Sequence, residues 1–292
     1  MTADHVVRGA TGVPIAVHEL GGDGPPLLVS HATGFCARVY RALAEQLAGQ
    51  RRVLGVDLHG HGLTPSTGQT VTWDRLGDDL LAVVDDLGLH GCDGFGHSMG
   101  GAALLFAEHR RPGSFRSLFL YEPIVFPDAV PPPQPNPLAV GARRRRETFP
   151  TAEAALWNFA SKPPLRVVRA DVLRDYVDHG FAPTADGGVT LRCTGEAEAR
   201  TYEGETPSRS ARFVGLEAPT TVAVGQEPPS DIPPPPAWAP ELVDRLADAR
   251  LIVIEELGHF GPFEHPPSVA AAVSAHLDGV GRRASLASPP ID

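Results

Sequence analysis

The sequence predicts an α/β protein whose mostly parallel, eight-stranded sheet is covered by helices on both faces. Short apolar segments alternate with helical patterns up to about residue 125 and again after residue 213. Strands that are apolar throughout are typical of a parallel sheet buried on both sides. Between these regions the alternation is lost. We therefore predict an α/β core, residues 1–125 and 214–292, with a lid or cap of residues 126–213 inserted into it.

The elements of the core follow one another in a regular order. The chain begins with a hairpin pattern at residues 6–9 and 12–18. Further strands are predicted, in chain order, at residues 26–31, 52–57, 91–97, 115–121, 219–225 and 250–254. Helices of the core are predicted at residues 40–47, 73–87, 102–109, 239–249 and 267–277.

The predicted cap is irregular and longer than a plain connection between strands. It contains a proline cluster at residues 131–137, a run of four arginines at 143–146 and helical pieces at 152–159 and 170–176. The arginine run has three open interpretations: a solvated helix face, a site for phosphate or nucleic acid, or a partner for a substrate carboxylate. The prolines are interpreted as stiffening a loop.

Composition excludes several classes of protein. The 292 residues include 25 Lys and Arg against 35 Asp and Glu, a net charge of −10, which argues against nucleic acid or an anionic membrane as a partner. No apolar run approaches the roughly 20 residues that span a bilayer, and the first residues do not resemble a secretory signal. The three cysteines lack C-x-x-C spacing. We expect a cytoplasmic protein that acts on a small molecule, and the oligomeric state is not predicted.

The strongest motif is G-x-S-x-G, formed by Gly96, Ser98 and Gly100 with the residues between them. This pattern is typical of a strand that turns abruptly into a helix and lifts the serine hydroxyl out of the sheet. Both glycine positions lie where a side chain would collide with neighbouring elements. A predicted strand precedes the motif and a predicted helix follows it, so the context supports a nucleophilic serine.

A serine needs a base to become nucleophilic, and His259 has the strongest claim among the 12 histidines. It follows the last apolar strand, at the sheet edge where catalytic groups collect in α/β proteins. His97 is adjacent to Ser98 but points away on such a turn. His59 and His61, together with Asp57, are interpreted as a glycine-rich loop and not as a metal site.

Four motifs in this order resemble the α/β-hydrolase superfamily over nearly the whole chain. They are the segment 31–35, where relatives have a His-Gly oxyanion loop, the segment 57–62, the motif around Ser98, and the segment 257–260 with Glu264 and Pro266 behind it. The resemblance implies Ser98 as nucleophile, His259 as base, and an oxyanion hole built from the backbone amides of Thr33 and Met99.

The sequence departs from the family at the acid of the triad. The position where most relatives carry an aspartate is Pro228 here. Three candidates remain: Glu122, directly after a predicted strand, Asp231, in the loop after Pro228, and Glu227, directly before Pro228. We favour Glu122 because some family members draw their acid from that strand end and because it needs no loop excursion.

A serine nucleophile on this fold indicates acyl chemistry, so we predict a hydrolase that cleaves an ester or related acyl bond of a small or medium apolar substrate, without cofactor or metal. The residues predicted to contact the substrate are His31, Phe35, His97 and Trp157. Two alternatives stay open. One is lyase, C–C hydrolase or cofactor-free oxidase chemistry on the same fold, and the other is a non-catalytic ligand-binding relative.

Overall fold

The computed structural model describes residues 2–68, 71–130, 135–204, 208–226 and 234–287, with side chains as far as Arg283. Its strands, in chain order, are β1 (His5–Arg8), β2 (Pro14–Gly21), β3 (Pro26–Ser30), β4 (Arg52–Val56), β5 (Cys92–His97), β6 (Phe115–Tyr121), β7 (Thr148–Phe149), β8 (Phe181–Pro183), β9 (Val189–Leu191), β10 (Thr220–Val224) and β11 (Ala249–Val253).

Eight of these strands form one sheet in the order β1-β2-β4-β3-β5-β6-β10-β11. The pairs from β4 to β11 are parallel, whereas β1 with β2 and β2 with β4 are antiparallel. The predicted fold class, a mostly parallel sheet of eight strands, is confirmed. Parallel strands place their carboxyl ends at one edge, so the loops after β5, β6 and β11 meet there.

The helices, in chain order, are α1 (Arg41–Leu47), α2 (Trp73–Asp86), α3 (Met99–Arg110), α4 (Pro137–Arg144), α5 (Ala152–Ala160), α6 (Ala170–Gly180), α7 (Gly195–Tyr202), α8 (Pro235–Arg245), α9 (Gly261–Glu264) and α10 (Pro266–Ala287). The prediction for α8 was wrong by four residues at both ends. Proline is well tolerated in the first turn, where its missing N–H has no helical partner, so the helix begins at Pro235. It ends before Leu246, whose backbone is extended.

The sheet separates two hydrophobic clusters because successive side chains of a strand point to opposite faces. Leu118, Leu120 and Val222 belong to one cluster, and Phe119 and Ala223 to the other. Both faces of the central strands are therefore buried. This rigid layer fixes the positions at which the chain leaves the sheet, and the candidate site is built on those positions.

The segment between β6 and β10 carries α4 to α7 and a small antiparallel sheet of order β7-β9-β8. We call its residues 126–213 the inserted segment. Its aromatic residues Phe149 and Tyr176 belong to the same cluster as Phe35 of the core. The Arg169 amide donates to the carbonyl of Phe263 at 3.0 Å. The inserted segment thus packs against loops at the carboxyl edge of the sheet.

None of the helices in the described ranges combines the length and the apolar character that crossing a membrane requires.

Candidate active site

Ser98 lies on the sharp turn between β5 and α3. Its backbone has φ of 56° and ψ of −119°, a strained conformation for a residue with a side chain. The flanking glycines make the turn possible. A Cβ on Gly100 would lie 2.0 Å from the carbonyl oxygen of Ser30, and one on Gly96 would lie 2.5 Å from the Cα of Gly101. The predicted strand-turn-helix geometry is therefore present at Ser98.

Ser98, His259 and Glu122 form one line of hydrogen bonds. The Ser98 hydroxyl and the Nε2 of His259 are 3.1 Å apart. On the other side of the ring, Nδ1 donates to Oε2 of Glu122 at 2.6 Å. This carboxylate fixes the tautomer that carries its proton on Nδ1, which leaves Nε2 free to accept the proton of the serine.

Glu122 is fully buried at the carboxyl end of β6. Its second oxygen, Oε1, accepts the backbone N–H of Gly225 at 2.8 Å, so both carboxylate oxygens have partners. Its φ of 44° is unusual for glutamate and turns the side chain at the end of its strand. Of the candidate acids, Glu122 contacts His259, whereas Asp231 and Glu227 lie outside the described residues.

Two hydrogen bonds hold the loop that carries His259. The Tyr121 hydroxyl donates to the carbonyl of Gly258 at 2.8 Å, and His97 Nε2 donates to the carbonyl of His259 at 2.8 Å. His97 is fully buried, which lowers the pKa of its ring well below the usual value, and the nearby His259 adds to this shift. Both ring nitrogens of His97 thus bond to the protein itself, and the contact of His97 with a substrate stays a prediction.

The other nitrogen of His97 continues the network toward the loop after β3. Because the His259 carbonyl only accepts, Nε2 of the neutral His97 ring carries the proton and Nδ1 accepts. Tyr40 therefore donates its hydroxyl proton to His97 Nδ1 at 2.8 Å and accepts the Ala32 amide at 3.1 Å. This chain of bonds joins the loop after β3 to the loop of His259. Nothing in the sequence pattern around Tyr40 pointed to this role.

The loop after β3 carries Thr33, one of the two predicted oxyanion donors. The neighbouring amides of Ala32, Gly34 and Phe35 all have acceptors within the protein. The amides of Thr33 and Met99 find no acceptor among the residues that the structure describes. These two N–H groups thus remain free to bind a ligand oxygen, as an oxyanion hole requires.

Two buried histidines hold the same loop from the core side. Gly34, whose φ is 81°, donates its amide to Nε2 of His61 at 3.0 Å. His31 accepts the Leu58 amide at 2.9 Å and donates to the carbonyl of Ala32 at 2.8 Å. Burial lowers the pKa of His31 to about 3 and that of His61 to about 4, so both rings are neutral at pH 7. Both nitrogens of His31 thus have partners within the protein, and its contact with a substrate stays a prediction.

Phe35 and Trp157, the other two predicted substrate contacts, lie in different surroundings. Phe35 is buried beside Tyr176, Phe260 and Phe263, with ring centroids 4.7 to 5.9 Å away. Phe260 directly follows the catalytic candidate His259 along the chain, so Phe35 adjoins the site. Trp157 is 75% exposed on α5, and among the described residues no contact joins it to the candidate triad. The structure does not bring Trp157 to the site.

Asp57 acts as a structural carboxylate in the next loop. It accepts the amides of Ala37 and Leu63, each at 2.8 Å, and bonds Nε2 of His18 at 2.9 Å. Burial acts to raise the pKa of Asp57, but the hydrogen bond to His18, the nearby rings of His18 and His31 and the Leu63 amide together outweigh it, so the pKa is lowered. Within the described ranges, no group of three or more His, Cys, Asp or Glu side chains is arranged to hold a metal ion.

Two arginines of the run at residues 143–146 have different surroundings. Arg143 pairs with Glu203 at 2.6 Å and with Glu196 at 2.8 Å, on the exposed side of α7. Arg145 is directed inward and pairs with Glu198. The interpretation of the run as one solvated face thus holds for Arg143 and fails for Arg145. Sequence alone carried no signal for this difference, since the carboxylate partners lie more than 50 residues away.

The fold agrees with comparisons to known proteins. Over 282 residues, 87% of this chain and 99% of the relative, the chain is 26% identical to the pimeloyl-[acyl-carrier protein] methyl ester esterase of Aromatoleum aromaticum. A shorter match, 37% identical over 103 residues, joins 35% of this chain to 28% of the dihydrolipoyllysine-residue acetyltransferase component of the acetoin cleaving system of Pseudomonas putida.

The crystal structure of E-2-(acetamidomethylene)succinate hydrolase superimposes with a TM-score of 0.78 and 21% identity, covering 94% of this chain and 98% of that one. The family model that describes the alpha/beta hydrolase family matches residues 27–272. With most of its length in that match, the chain belongs to the alpha/beta hydrolase family.

Proposed function

We propose that the protein is a serine hydrolase that cleaves a carboxylic ester, or a related acyl bond, of a small or medium apolar substrate. One observation carries the proposal: the unbroken line of hydrogen bonds from Ser98 through His259 to Glu122. A serine hydroxyl that is strained out of a sheet and hydrogen-bonded to an oriented imidazole is the arrangement that nucleophilic acyl transfer needs.

In the first half of the reaction, Ser98 Oγ attacks the carbonyl carbon while Nε2 of His259 takes its proton. Glu122 stabilises the imidazolium through Nδ1. The carbonyl oxygen becomes an oxyanion that accepts the amides of Thr33 and Met99. Collapse of this intermediate breaks the ester C–O bond, His259 returns the proton to the leaving alkoxide, and an alcohol departs from the acyl-enzyme.

In the second half, water takes the place of the alcohol. His259 removes a proton from the water, the hydroxide adds to the acyl carbon, and the same amides hold the second oxyanion. Breaking the bond to Oγ, with return of the proton to Ser98, releases the acid. Every proton is accounted for by the serine, the histidine, water and the leaving group, so the cycle requires no cofactor or metal.

The choice of an ester rests on two supports of different kind. A serine at the turn suits transient acylation, whereas displacement at an alkyl carbon on this fold uses an aspartate. The full-length relative from Aromatoleum aromaticum is by its name a methyl ester esterase. The cluster of Phe35, Tyr176 and Phe260 beside the site favours an apolar acyl group over a charged one.

The test is turnover of a chain-length series of p-nitrophenyl esters, together with labelling by a fluorophosphonate probe. The wild-type enzyme is expected to hydrolyse short and medium esters and to be labelled at Ser98. The Ser98→Ala variant should lose about 10⁴- to 10⁶-fold in kcat and all labelling.

The chain offers a matched control at Ser268, a half-buried serine that also bonds a histidine, Nδ1 of His265 at 2.8 Å. The Ser268→Ala variant should keep wild-type turnover and labelling. Labelling without turnover of any ester would favour lyase-type chemistry, and absence of both would favour a ligand-binding protein.

A further inference from the structure

Glu198 of the inserted segment touches the predicted oxyanion loop. A Cβ placed on Gly34 would lie 2.8 Å from Glu198 Oε1 and 3.1 Å from its carboxyl carbon. The carboxylate therefore lies directly against the α-carbon of the residue that follows Thr33. On the opposite side, the Gly34 amide is held by His61. Gly34 is thus clamped between the core and α7.

This position creates an electrostatic problem for ester cleavage. The carboxylate of Glu198 is almost completely buried, 7% exposed as a residue, so water screens its charge weakly. The reaction proposed above develops a second negative charge on the oxyanion at the neighbouring amide of Thr33. Like charges in a water-poor site repel strongly, and an unpaired Glu198 would raise the energy of that transition state.

Arg145 is placed to remove this repulsion. Its Nη1 donates to Oε2 of Glu198, and its Nη2 donates to the Tyr176 hydroxyl at 2.6 Å. The guanidinium carbon also lies 5.9 Å from the ring centroid of Phe159. Burial acts to lower the pKa of Arg145, but the interactions with Tyr176 and Glu198 together outweigh this effect and raise the pKa. Arg145 is held as a cation by three partners of the inserted segment.

We propose that Arg145 is a positioning residue for the acyl-transfer reaction. By neutralising Glu198, it lets the inserted segment support the oxyanion loop at Gly34 without placing net negative charge beside the Thr33 amide. The inserted segment then contributes to stabilisation of the transition state. This inference rests on the proposed function, because it concerns the oxyanion that Ser98 generates.

Arg143 provides a matched control within the same run. It also links the end of α4 to two carboxylates, Glu196 in α7 and Glu203 directly after it. These pairs are exposed to solvent, and neither carboxylate is among the atoms nearest to Gly34. Loss of Arg143 therefore weakens the same helix contact without changing the charge at the oxyanion loop.

The experiment compares the variants Arg145→Met, Glu198→Gln, the double variant and Arg143→Met. For each we would measure the melting temperature, kcat and KM for a p-nitrophenyl ester, and inhibition by a trifluoromethyl ketone. Such a ketone adds to the Ser98 oxygen while His259 takes the proton, and the adduct carries the oxyanion that the proposal concerns. Its affinity therefore reports on the oxyanion site separately from substrate binding.

We expect Arg145→Met to lower kcat about ten- to a hundredfold, with KM changed by less than about threefold and with weaker inhibition by the ketone. Glu198→Gln and the double variant should keep kcat within about threefold of wild type, because neither leaves a buried, unpaired carboxylate. Arg143→Met should behave as wild type. If Arg145→Met does not fold, Arg145→Gln, which keeps two donors but no charge, takes its place.

Three results would overturn the inference. They are an equal effect of Arg145→Met and Arg143→Met on kcat, a double variant as slow as Arg145→Met while still folded, or a loss with Glu198→Gln as large as that with Arg145→Met. Loss of the proposed function would look different. In that case the wild-type enzyme would neither turn over esters nor be labelled, whatever the residue at position 145.

Discussion

The ring of His97 holds the backbone of His259, through a hydrogen bond of 2.8 Å from Nε2 to the carbonyl oxygen. His97 precedes the candidate nucleophile directly, so the turn that exposes Ser98 also fixes the loop of its base. Through Tyr40, the same ring is connected to the Ala32 amide at the oxyanion loop. The turn at Ser98, the loop of His259 and the loop after β3 are thereby all connected to the buried ring of His97.

This connection predicts that Tyr40→Phe slows the reaction without touching the triad. Removing the hydroxyl leaves the Ala32 amide and His97 Nδ1 without partners, which should destabilise the fold by about 1–3 kcal/mol. The loosened loops should lower kcat about tenfold. Steady-state kinetics with urea denaturation measure both effects.

The control for Tyr40→Phe is Ser117→Ala, which removes a buried hydroxyl that donates to Asp93 at 2.7 Å near the start of β6. It should destabilise the fold to a similar degree but leave kcat unchanged. An equal fall of kcat in both variants would mean that general destabilisation, and not the link to the loops, slows the enzyme.

Glu122→Gln tests the assignment of the acid. A neutral amide neither stabilises the imidazolium nor fixes the tautomer of His259, so kcat should fall about 10³- to 10⁴-fold. Glu264→Gln is a suitable control, since Glu264 is a half-buried neighbour that accepts the Gly258 amide at 3.2 Å. Stopped-flow or steady-state ester hydrolysis gives kcat for both variants, and only Glu122→Gln should show the fall. Near-normal turnover in Glu122→Gln, with collapse in Asp231→Asn, would transfer the role to Asp231.

Gly100→Ala should be strongly destabilising, because the new methyl group would overlap the carbonyl oxygen of Ser30. Overpacking of this kind costs about 3 kcal/mol or more. Gly141→Ala is the opposite case: Gly141 lies within α4 and has no atom within 4 Å of the added carbon. That variant should gain about 0.5–1 kcal/mol. Denaturant titration of both proteins measures the difference, and similar stabilities would contradict the tight turn.

Asp79 predicts a pH-dependent stability. Burial raises the pKa of its carboxyl to about 6 from an ordinary value of 3.8, although the Ala10 amide bonded to it acts in the other direction. The folded protein therefore binds a proton more tightly than the unfolded chain. The proton on Asp79 therefore contributes to the free energy of unfolding. This contribution is complete below about pH 4 and is lost as the pH rises through 6.

The variant Asp79→Asn, which keeps an acceptor for Ala10, should be more stable than wild type at pH 8 by about 2–3 kcal/mol, with little advantage at pH 4. Urea unfolding at the two pH values checks this expectation. Asp78→Asn is the control, because Asp78 is a neighbour on α2 that pairs with Arg110 at 3.1 Å. A pH-independent difference for Asp79→Asn would refute the prediction.

The strands and the turn at Ser98 were predictable because their signals are local. Strand β6, for example, was predicted at residues 115–121 and has those bounds in the structure. Its signals, an apolar pattern and a glycine before it, extend over only a few positions of the sequence. The turn likewise depends on Gly96 and Gly100, which are contiguous with Ser98. Local sequence therefore defined the layer that carries the site.

The contacts that complete the site were not predictable in the same way. Tyr40 and His97 are 57 residues apart, and Arg145 and Glu198 are 53 apart. Whether an arginine faces solvent or a carboxylate depends on how α4 and α7 pack, which no short pattern contains. Trp157 was predicted as a substrate contact because it is an aromatic residue of the predicted cap, and helix packing leaves it exposed.

The packing of Tyr176 on Phe35, with ring centroids 5.2 Å apart, has a consequence for how a ligand enters. The helices of the inserted segment and one face of the sheet belong to the same hydrophobic cluster. Moving the whole segment away from the sheet would therefore expose several aromatic rings to water at once. Each such ring would cost about 1.5–3 kcal/mol to expose. We therefore expect a ligand to reach Ser98 through local movements of side chains and loops, which occur within picoseconds to microseconds, and not through lifting of the whole segment.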